Sequence, residues 1–389
     1  MIHNALTVFQ VVAVLGCACS CIYYSICLWS AARFLRERKV SESTSAVKSF
    51  PPISILKPLK GTDPDIFEGF RSHCLQDYPE YEIIFGVSDP DDPAIASVQQ
   101  LQREFPARTI RLVVSPNKLG TNVKVSNLEQ MLPSARFQHL IVNDSDIRVD
   151  PDYLRRVVLP LADEHVGMVT CLYRGVAAAT FGSQLEALGI STDFCPGVLV
   201  ARQVEGGLRF GLGSTLAFRR IDLERIGGFR SIVDFLADDY ELGRRIAGIG
   251  LQVRLSDVIV ETYLPAYDLR GFLSHQLRWA RGVRDSRAGG YIGLISTYGL
   301  FWALATLLSA SAAPWSWAAA GVTVLLRLAM AVVVGKSVLR DASLVKNLWL
   351  LPVRDLVAVA VWVASFAGHT VTWRGDRFKL KNGRLFRIS

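Results

Sequence analysis

The sequence predicts an α/β domain with a parallel sheet, set between apolar segments that are long enough to cross a bilayer. Short β-branched runs alternate with helical segments from residue 51 to residue 142, which is the pattern of a sheet with helices on both faces. Half of the 389 residues are hydrophobic, and the formal net charge is +8. This composition leaves room for one substantial domain and several membrane segments.

The strands and helices of this domain are predicted from the spacing of apolar residues and from the turn residues between them. The predicted strands are residues 53–56, 81–87, 110–114, 139–142 and 166–173, and the predicted helices are residues 66–75, 95–105, 123–131, 181–190 and 238–246. Residues 208–214 contain closely spaced glycines, at which the backbone can approach a ligand closely. Asp238 is the predicted N-cap of the last helix, with Glu241 completing a capping box.

The N-terminal apolar segment, residues 6–29, is long enough to span a bilayer. The basic cluster that follows, between Arg33 and Lys39, favours the cytoplasmic side by the positive-inside rule. We therefore predict a signal anchor over residues 1–40, and a short polar linker over residues 41–48.

The C-terminal region, residues 288–389, becomes apolar again, and residues 291–313 and 317–334 predict a transmembrane hairpin. Arg327 is a charge inside this hairpin. It either meets a lipid headgroup, snorkels to the interface or pairs with an acid within the helix bundle.

A last apolar segment, residues 349–368, is broken by Pro352, Arg354 and Asp355. If it crossed the bilayer, the basic tail between Arg374 and Arg387 would lie outside, against the positive-inside rule. We therefore predict a re-entrant or interfacial segment followed by a cytoplasmic tail.

The positions of the basic residues decide between two kinds of partner, nucleic acid and an anionic membrane surface. Many of them lie beside apolar segments, and the sequence contains no zinc-finger spacing and no basic-aromatic RNA motif. We predict that the partner is the lipid bilayer and that the chain binds no nucleic acid. The seven cysteines follow no disulfide or metal-site spacing, which fits a catalytic domain of residues 50–285 in the cytoplasm.

Two acids follow the predicted strand 139–142 at alternate positions, Asp144 and Asp146. Ligands of α/β sheets bind at the carboxyl ends of the strands, where such carboxylates project. Two hard oxygen ligands suit a Mg²⁺ or Mn²⁺ ion that keeps its other positions for water and a diphosphate. The alternative is an ordinary Asp-Ser-Asp turn.

Further polar residues fall on the same side of the predicted sheet. Asp89, Asp91 and Asp92 follow the second strand and could accept from a nucleobase or a ribose, although an Asp-Pro turn explains them equally well. Lys124 and Asn127 lie three residues apart on one helix face and could reach a nucleotide, or form a solvated surface.

Two later motifs complete the pattern. Asp239 is the candidate general base, which would take a proton from an incoming hydroxyl; its alternative role is to stabilise the helix start. His275, Arg278 and Trp279 are spaced i, i+3 and i+4, so they share a helix face. Arg278 can bind a diphosphate and Trp279 a sugar or lipid, although such a pair is also a common interfacial anchor.

The order of these motifs resembles the ceramide glucosyltransferase family, which is family 21 of the glycosyltransferases. The matching segments are Asp-Asp-Pro-Ala at 91–94, Asp-Ser-Asp-Ile-Arg-Val at 144–149, Asp-Asp-Tyr at 238–240, Arg-Trp at 278–279, Pro-Leu-Lys-Gly at 58–61 and Asp-Tyr-Pro at 77–79. The resemblance covers roughly residues 50–285. Within the family, the chain is most similar to bacterial hopanoid-biosynthesis glycosyltransferases.

The resemblance implies a GT-A, Rossmann-like catalytic domain in an inverting, UDP-sugar-dependent membrane enzyme. It places Asp92 near the UDP, Asp144 at the metal and diphosphate, and Asp239 as the base. The closing motif departs from the family pattern, because His275 stands three residues before Arg278 where the family has Gln or Arg, with Gln276 beside it. Residues 191–196 also differ from the acceptor region of the animal enzymes, which weakens the case for ceramide.

The implied reaction is transfer of a sugar from a UDP-sugar to a hydroxyl of a membrane lipid, first of all N-acetylglucosamine to a hopanoid polyol. Ceramide with UDP-glucose is the alternative substrate pair. A processive polysaccharide synthase shares such motifs, but three or four apolar segments are few for enclosing a polymer channel. A non-catalytic membrane scaffold with the same fold is the alternative of another class. The implied location is the bacterial inner membrane, crossed several times.

Overall fold

The structure is a computed structural model that describes residues 2–44, 50–373 and 376–388. The strands are β1 (Ile53–Pro58), β2 (Tyr81–Val87), β3 (Thr109–Val114), β4 (His139–Val142), β5 (Ile147–Arg148), β6 (Val166–Val176), β7 (Leu216–Arg219), β8 (Gln252–Tyr263), β9 (Thr370–Trp373), β10 (Asp376–Lys381) and β11 (Arg384–Arg387).

The α-helices are α1 (Ile2–Thr44), α2 (Ile66–Cys74), α3 (Ala94–Glu104), α4 (Val123–Met131), α5 (Tyr153–Val158), α6 (Phe181–Gly189), α7 (Cys195–Val204), α8 (Arg220–Arg225), α9 (Asp238–Gly248), α10 (Leu269–Ser286), α11 (Ala288–Gly293), α12 (Gly299–Ser309), α13 (Pro314–Val332), α14 (Leu344–Asn347) and α15 (Leu351–Ser365). Short π-helical segments follow α6 and α13, at Ile190–Phe194 and Val333–Val338.

The described residues form two compact units. The membrane unit comprises Met1–Lys39, Ala179–Gln203 and Ala266–Gly375. The sheet unit comprises Val40–Ala178, Val204–Pro265 and Asp376–Ser389. Helices α6, α7 and α10 thus belong to the membrane unit, although the sequence predicts them within a catalytic domain of residues 50–285.

The sheet unit is built on an eight-stranded sheet in the order β3-β2-β1-β4-β7-β6-β8-β5. Strand β1 pairs in parallel with β2 and with β4, and β2 pairs in parallel with β3. Strand β7 is antiparallel to both of its neighbours. The predicted α/β fold is therefore confirmed, with a parallel half and a mixed half. Because β1, β2 and β4 are parallel, their carboxyl ends lie along one edge.

Burial explains why the apolar runs become strands. All seven residues of β2 are buried, and in β1 the side chains of Ile53, Ile55 and Leu56 are inaccessible to solvent. Strands covered on both faces read as continuous apolar runs, which is how they appear in the sequence. Helix α4 packs against β1 and β2, whereas α9 packs against β6 and β8.

The membrane unit contains the candidate membrane spans. Among the described residues, three helices are long and apolar enough to cross a bilayer, namely Leu6–Val40, Pro314–Val338 and Leu344–Ser365. Ala288–Thr297 and Gly299–Ser309 form a pair bent by 53°, which is either a broken span or a re-entrant loop.

Three features of these helices concern the predicted membrane segments. Helix α1 continues through the basic cluster and through residues 41–44 of the predicted linker, of which residues 45–48 lie outside the described residues. The first member of the predicted hairpin is bent at Tyr298. The segment predicted to be re-entrant or interfacial lies within Leu344–Ser365, which is long and apolar enough to cross a bilayer, and its placement in the membrane stays a prediction. Pro352 stands in the first turn of α15, where a missing N–H costs nothing.

Arg327, a charge within the candidate span Pro314–Val338, is 2 % exposed and pairs with Asp355 and Asp193. Of the three alternatives for this residue, pairing within the helix bundle is the one that the structure shows. Charged side chains within apolar helices are commonly accommodated by such pairing.

Candidate active site

The loop after β4 presents the acidic pair Asp144 and Asp146. The preceding Asn143 is buried, and its amide donates to the backbone oxygen of Ser214 at 2.7 Å and to the hydroxyl of Tyr153 at 2.9 Å. These bonds fix the loop to the segments that carry Ser214 and Tyr153, so the two carboxylates have defined positions. The hydroxyl of Thr262 donates to Asp146 at 2.5 Å.

Lys124 bridges two carboxylates that are distant in the sequence. Its ammonium nitrogen lies 2.7 Å from Asp144 Oδ1 and 2.9 Å from Asp238 Oδ2. Burial acts to lower the pKa of Lys124, but the charges of Asp144, Asp238 and Asp239 outweigh it and raise this pKa above its ordinary value. Lys124 is therefore a permanent cation within an acidic site.

Asp239 stands in the first turn of α9, and its carboxylate accepts two backbone N–H groups. Gly213 donates to Oδ2 and Tyr240 to Oδ1, each at 2.8 Å. Burial, and next the charge of Asp238, raise the pKa of Asp239 to about 6. A carboxylate with this pKa is charged at neutral pH and still basic enough to accept a proton.

The predicted capping box at this helix start is wrong. Ala237 is the N-cap residue and makes no side-chain cap bond. Glu241 pairs with Arg244 and Arg245 at 2.7 and 2.9 Å instead. Asp238 is consequently available to bind Lys124.

Gly213 separates the two acidic segments. A Cβ atom placed on this residue would lie 2.5 Å from Asp144 Oδ2 and 3.4 Å from Asp239 Oδ2. Any larger residue would therefore push Asp144 aside. The predicted close approach of the glycine-rich stretch is found here, between the backbone and the carboxylates.

Sequence reasoning missed two residues of this site, Lys57 and Asp63. The side chain of Lys57 is fully buried, and its ammonium donates to the backbone oxygen of Asp144 at 3.0 Å. Burial lowers the pKa of Lys57 to about 7, against the opposing charges of Asp146 and Asp144. The carboxylate of Asp63 accepts a hydrogen bond from the hydroxyl of Ser145. A lysine at the end of the apolar run 53–58 was the available signal for the first of them.

We call these residues together the acidic cluster. It consists of Lys57, Asp63, Lys124, Asp144, Asp146, Asp238 and Asp239. All of them belong to the sheet unit.

The acids after β2 accept hydrogen bonds from backbone N–H groups. Asp92 is 8 % exposed, and its carboxylate accepts from the backbone N–H of Gly61 at 2.9 Å and of Ala94 at 2.9 Å. Asp89 is exposed and accepts from the N–H of Asp91 at 3.0 Å. Asp92 thus ties its turn to the loop at Gly61, and the nucleotide contacts of Asp89 and Asp92 stay predictions.

Asn127 likewise binds the protein backbone. It is buried, and its amide donates to the backbone oxygen of Gly86 at 2.6 Å, which ties α4 to β2. Lys124 and Asn127 thus point to different surroundings despite their predicted common face. A contact between Asn127 and a nucleotide stays a prediction.

The model of glycosyl transferase family 21 matches residues 12–386. The chain belongs to this family. The resemblance expected from the motifs is thereby confirmed, although its hopanoid branch is not tested by the match.

Several family relatives are similar over part of their length. Ceramide glucosyltransferase 3 of Caenorhabditis elegans is 25 % identical over 263 residues, which are 67 % of this chain and 56 % of that protein. Ceramide glucosyltransferase 1 of the same organism is 22 % identical over 64 % of this chain and 53 % of its own length. The chain thus spans about half the length of these curated relatives.

One solved structure supports the GT-A fold of this family member. The mannosyltransferase PcManGT of Pyrobaculum calidifontis, in complex with GDP-Man and Mn²⁺, has a TM-score of 0.52 at 20 % identity. The match covers 91 % of this chain and 98 % of that one. The predicted GT-A, Rossmann-like fold class is therefore confirmed.

The closing motif of the family lies on α10, in the membrane unit. The ring of His275 stacks on Tyr267, and its Nδ1 lies 3.5 Å from Glu186 Oε2. Gln276 donates to the same carboxylate at 2.6 Å. Trp279 packs edge-on against Phe194. The substrate contacts predicted for His275, Gln276, Arg278 and Trp279 stay predictions.

The acidic pair has the donors and the electrostatics for a divalent metal. Burial raises the pKa of Asp146, and repulsion by the charge of Asp144 raises it further, to about 6. A divalent cation would relieve this repulsion. Among the described residues, no group of three or more His, Cys, Asp or Glu side chains forms a metal site. Asp144 and Asp146 would therefore supply two positions and leave the others to ligands such as a diphosphate.

Proposed function

We propose that this protein is an inverting glycosyltransferase that transfers a sugar from a UDP-sugar to a hydroxyl group of a membrane lipid. The observation that carries the proposal is Asp239, a partly buried carboxylate with a pKa of about 6, held beside Asp144 and Lys124 at the edge of the sheet. Family membership and the apolar helices support it further.

In this reaction, Asp239 takes the proton from the acceptor hydroxyl. The acceptor oxygen forms a bond to the anomeric carbon, while the bond from that carbon to the β-phosphate oxygen breaks and UDP leaves. The configuration at the anomeric carbon is inverted, because the attack is a single displacement. Orientation of both substrates supplies much of the remaining acceleration.

The other residues of the acidic cluster prepare the site for this step. Asp144 and Asp146 would hold a Mg²⁺ or Mn²⁺ ion, which when bound neutralises charge on the departing diphosphate. Lys124 holds Asp144 and Asp238 in place and lowers the pKa of Asp239. Lys57 anchors the backbone of the loop that carries Asp144.

The donor sugar and the acceptor lipid have two candidate pairs. The names of the two nematode relatives support ceramide as the acceptor and glucose as the sugar. The motif resemblance implies N-acetylglucosamine and a hopanoid polyol. For the location, we propose a multi-pass membrane protein of the bacterial inner membrane with its catalytic unit in the cytoplasm, supported by Arg33, Arg36 and Lys39 after the first apolar run.

A radiolabel transfer assay with purified protein in detergent tests this proposal. UDP-glucose and UDP-N-acetylglucosamine are each offered ceramide or a hopanoid polyol, with and without EDTA. We expect label in one lipid, abolished by EDTA, and the productive pair identifies donor and acceptor. Long polymer chains from UDP-sugar alone would instead support a polysaccharide synthase, and no product of any kind would support the scaffold alternative.

A further inference from the structure

The C-terminal hairpin of the sheet unit has one buried and one exposed face. Strands β10 and β11 are antiparallel and joined by Asn382 and Gly383, whose positive φ angles of 51° and 75° are those of a tight hairpin turn. Phe378, Leu380 and Leu385 are at most 4 % exposed. Alternate residues therefore point away from the core.

The exposed face is strongly basic. It carries Arg377, Lys379, Lys381 and Arg384, since Lys381 lies directly opposite Arg384 in the register. Asp376 is the only acid among the described residues of this hairpin, and it pairs with Arg387 at 2.7 Å. The four cations of the face thus have no acid beside them within the hairpin.

Two apolar residues accompany these cations. Phe386 is 50 % exposed and lies directly opposite Lys379, and Ile388 follows at the described C-terminus with 39 % exposure. Cations interleaved with exposed apolar side chains suit a surface that offers both negative charge and hydrocarbon, which is an anionic bilayer. The hairpin also follows the candidate span Leu344–Ser365 by only ten residues in the sequence, so it is tethered to a membrane segment.

The hairpin is bonded to the segment that delivers the proposed base. Leu236 donates its N–H to the backbone oxygen of Gly383 at 3.0 Å, and Leu385 donates to the oxygen of Asp234 at 2.8 Å. The guanidinium of Arg384 lies 5.1 Å from the ring centroid of Phe235. Residues 234–236 therefore contact the hairpin shortly before Asp238 and Asp239 in the sequence.

The opposite side of this segment is held by the start of α4. The amide of Asn122 donates to the backbone oxygen of Phe235 at 2.7 Å, and the N–H of Thr121 donates to Asp234 at 3.0 Å. The segment thus lies between the hairpin and the helix that carries Lys124. These contacts connect the hairpin to the segment that leads into Asp239.

We propose that the basic face of the C-terminal hairpin docks on anionic lipid headgroups, and that docking orders residues 234–237 and so raises the turnover at Asp239. The inference rests on the proposed function for its effect on turnover, while the docking itself does not depend on it. Attraction between exposed charges is screened by salt, so the effect weakens as ionic strength rises.

The test uses the full-length protein in nanodiscs of phosphatidylcholine, with or without phosphatidylglycerol. Hydrogen exchange of residues 234–237 and 376–388 measures docking, and sugar transfer measures turnover. We expect slower exchange in both segments and about a threefold to tenfold higher rate in the anionic nanodiscs. The variant Lys379→Gln/Lys381→Gln should lose both responses. The matched control Arg103→Gln/Lys118→Gln removes two exposed cations elsewhere in the sheet unit and should keep them.

Two results would overturn the inference. One is equal exchange in the two membranes, and the other is a double hairpin variant that responds like the unchanged protein. A protein that transfers no sugar in any membrane would contradict the proposed function, but the exchange measurement would still decide whether the hairpin docks.

Discussion

Two clusters in this molecule combine one cation with two aspartates, yet they differ in chemistry. In the sheet unit, Lys124 lies between Asp144 and Asp238. In the membrane unit, Arg327 lies between Asp355 and Asp193, at 2.6 and 2.7 Å. We call the second group, together with Arg354, the paired cluster. Each places one basic side chain between two aspartates, so the signs of the charges alone do not distinguish them.

The difference between them is the balance of charge. In the paired cluster, Arg327 binds Asp355 through two nitrogens, and Arg354 lies 3.3 Å from Asp193, so two cations meet two acids. The acidic cluster holds five carboxylates and only two ammonium groups. Surplus charge at a sheet edge is costly without a ligand, which is why it indicates a functional site. Balanced charge in an apolar bundle indicates a structural role.

The strongest test of this comparison is Arg327→Met. It leaves Asp355 buried without its main partner, so we expect the free energy of unfolding to fall by about 3–5 kcal/mol. Thermal unfolding in detergent measures the loss. The double variant Arg327→Met/Asp355→Leu removes both charges and should recover most of the stability. Failure to recover would show that the pair does more than balance charge.

In the acidic cluster, the substitution Asp146→Asn should not destabilise the protein, in contrast to Arg327→Met. It removes one of two repelling carboxylates, so the apo protein should be as stable as the unchanged protein or slightly more stable at pH 7.5. Bound Mn²⁺ at a hundred times its dissociation constant stabilises a protein by about 2.7 kcal/mol. We expect this Mn²⁺ effect in the unchanged protein and its loss in the variant. Glu164→Gln, at an exposed acid of the same unit, is the control and should keep it.

The pH dependence of transfer gives a smaller effect. Asp239 must be deprotonated to act as base, and its pKa is raised to about 6, so the rate should fall as the pH decreases through 6 and level off above it. Lys124 lowers this pKa, and Lys124→Gln should therefore move the midpoint to higher pH. An unchanged midpoint in that variant would show that Lys124 does not set the pKa of Asp239.

The parallel half of the sheet was predictable from the sequence because its signals are local. The expected helix 123–131 and strand 139–142 agree with α4 and β4 residue for residue. Strand β8 was missed, since Arg254, Ser256 and Asp257 interrupt its apolar pattern. Its buried residues alternate with more exposed ones, which is the pattern of a strand that is covered on one face only.

The candidate site was only partly predictable for a related reason. Asp144 follows a predicted strand and Asp239 lies at the start of a predicted helix, so their types and positions indicated them. The bond from Lys57 to the backbone of Asp144 joins residues 87 positions apart, and no local pattern carries it. The same holds for Lys124 and Asp238, whose contact depends on the folded sheet.

The measurement that tests the central claim most directly is sugar transfer by Asp239→Asn, compared with its binding of UDP. General base catalysis contributes a factor of about 10²–10⁴, so we predict a loss of that size in kcat while calorimetry shows UDP bound as in the unchanged protein. Turnover close to that of the unchanged protein would contradict the assignment of Asp239 as the base.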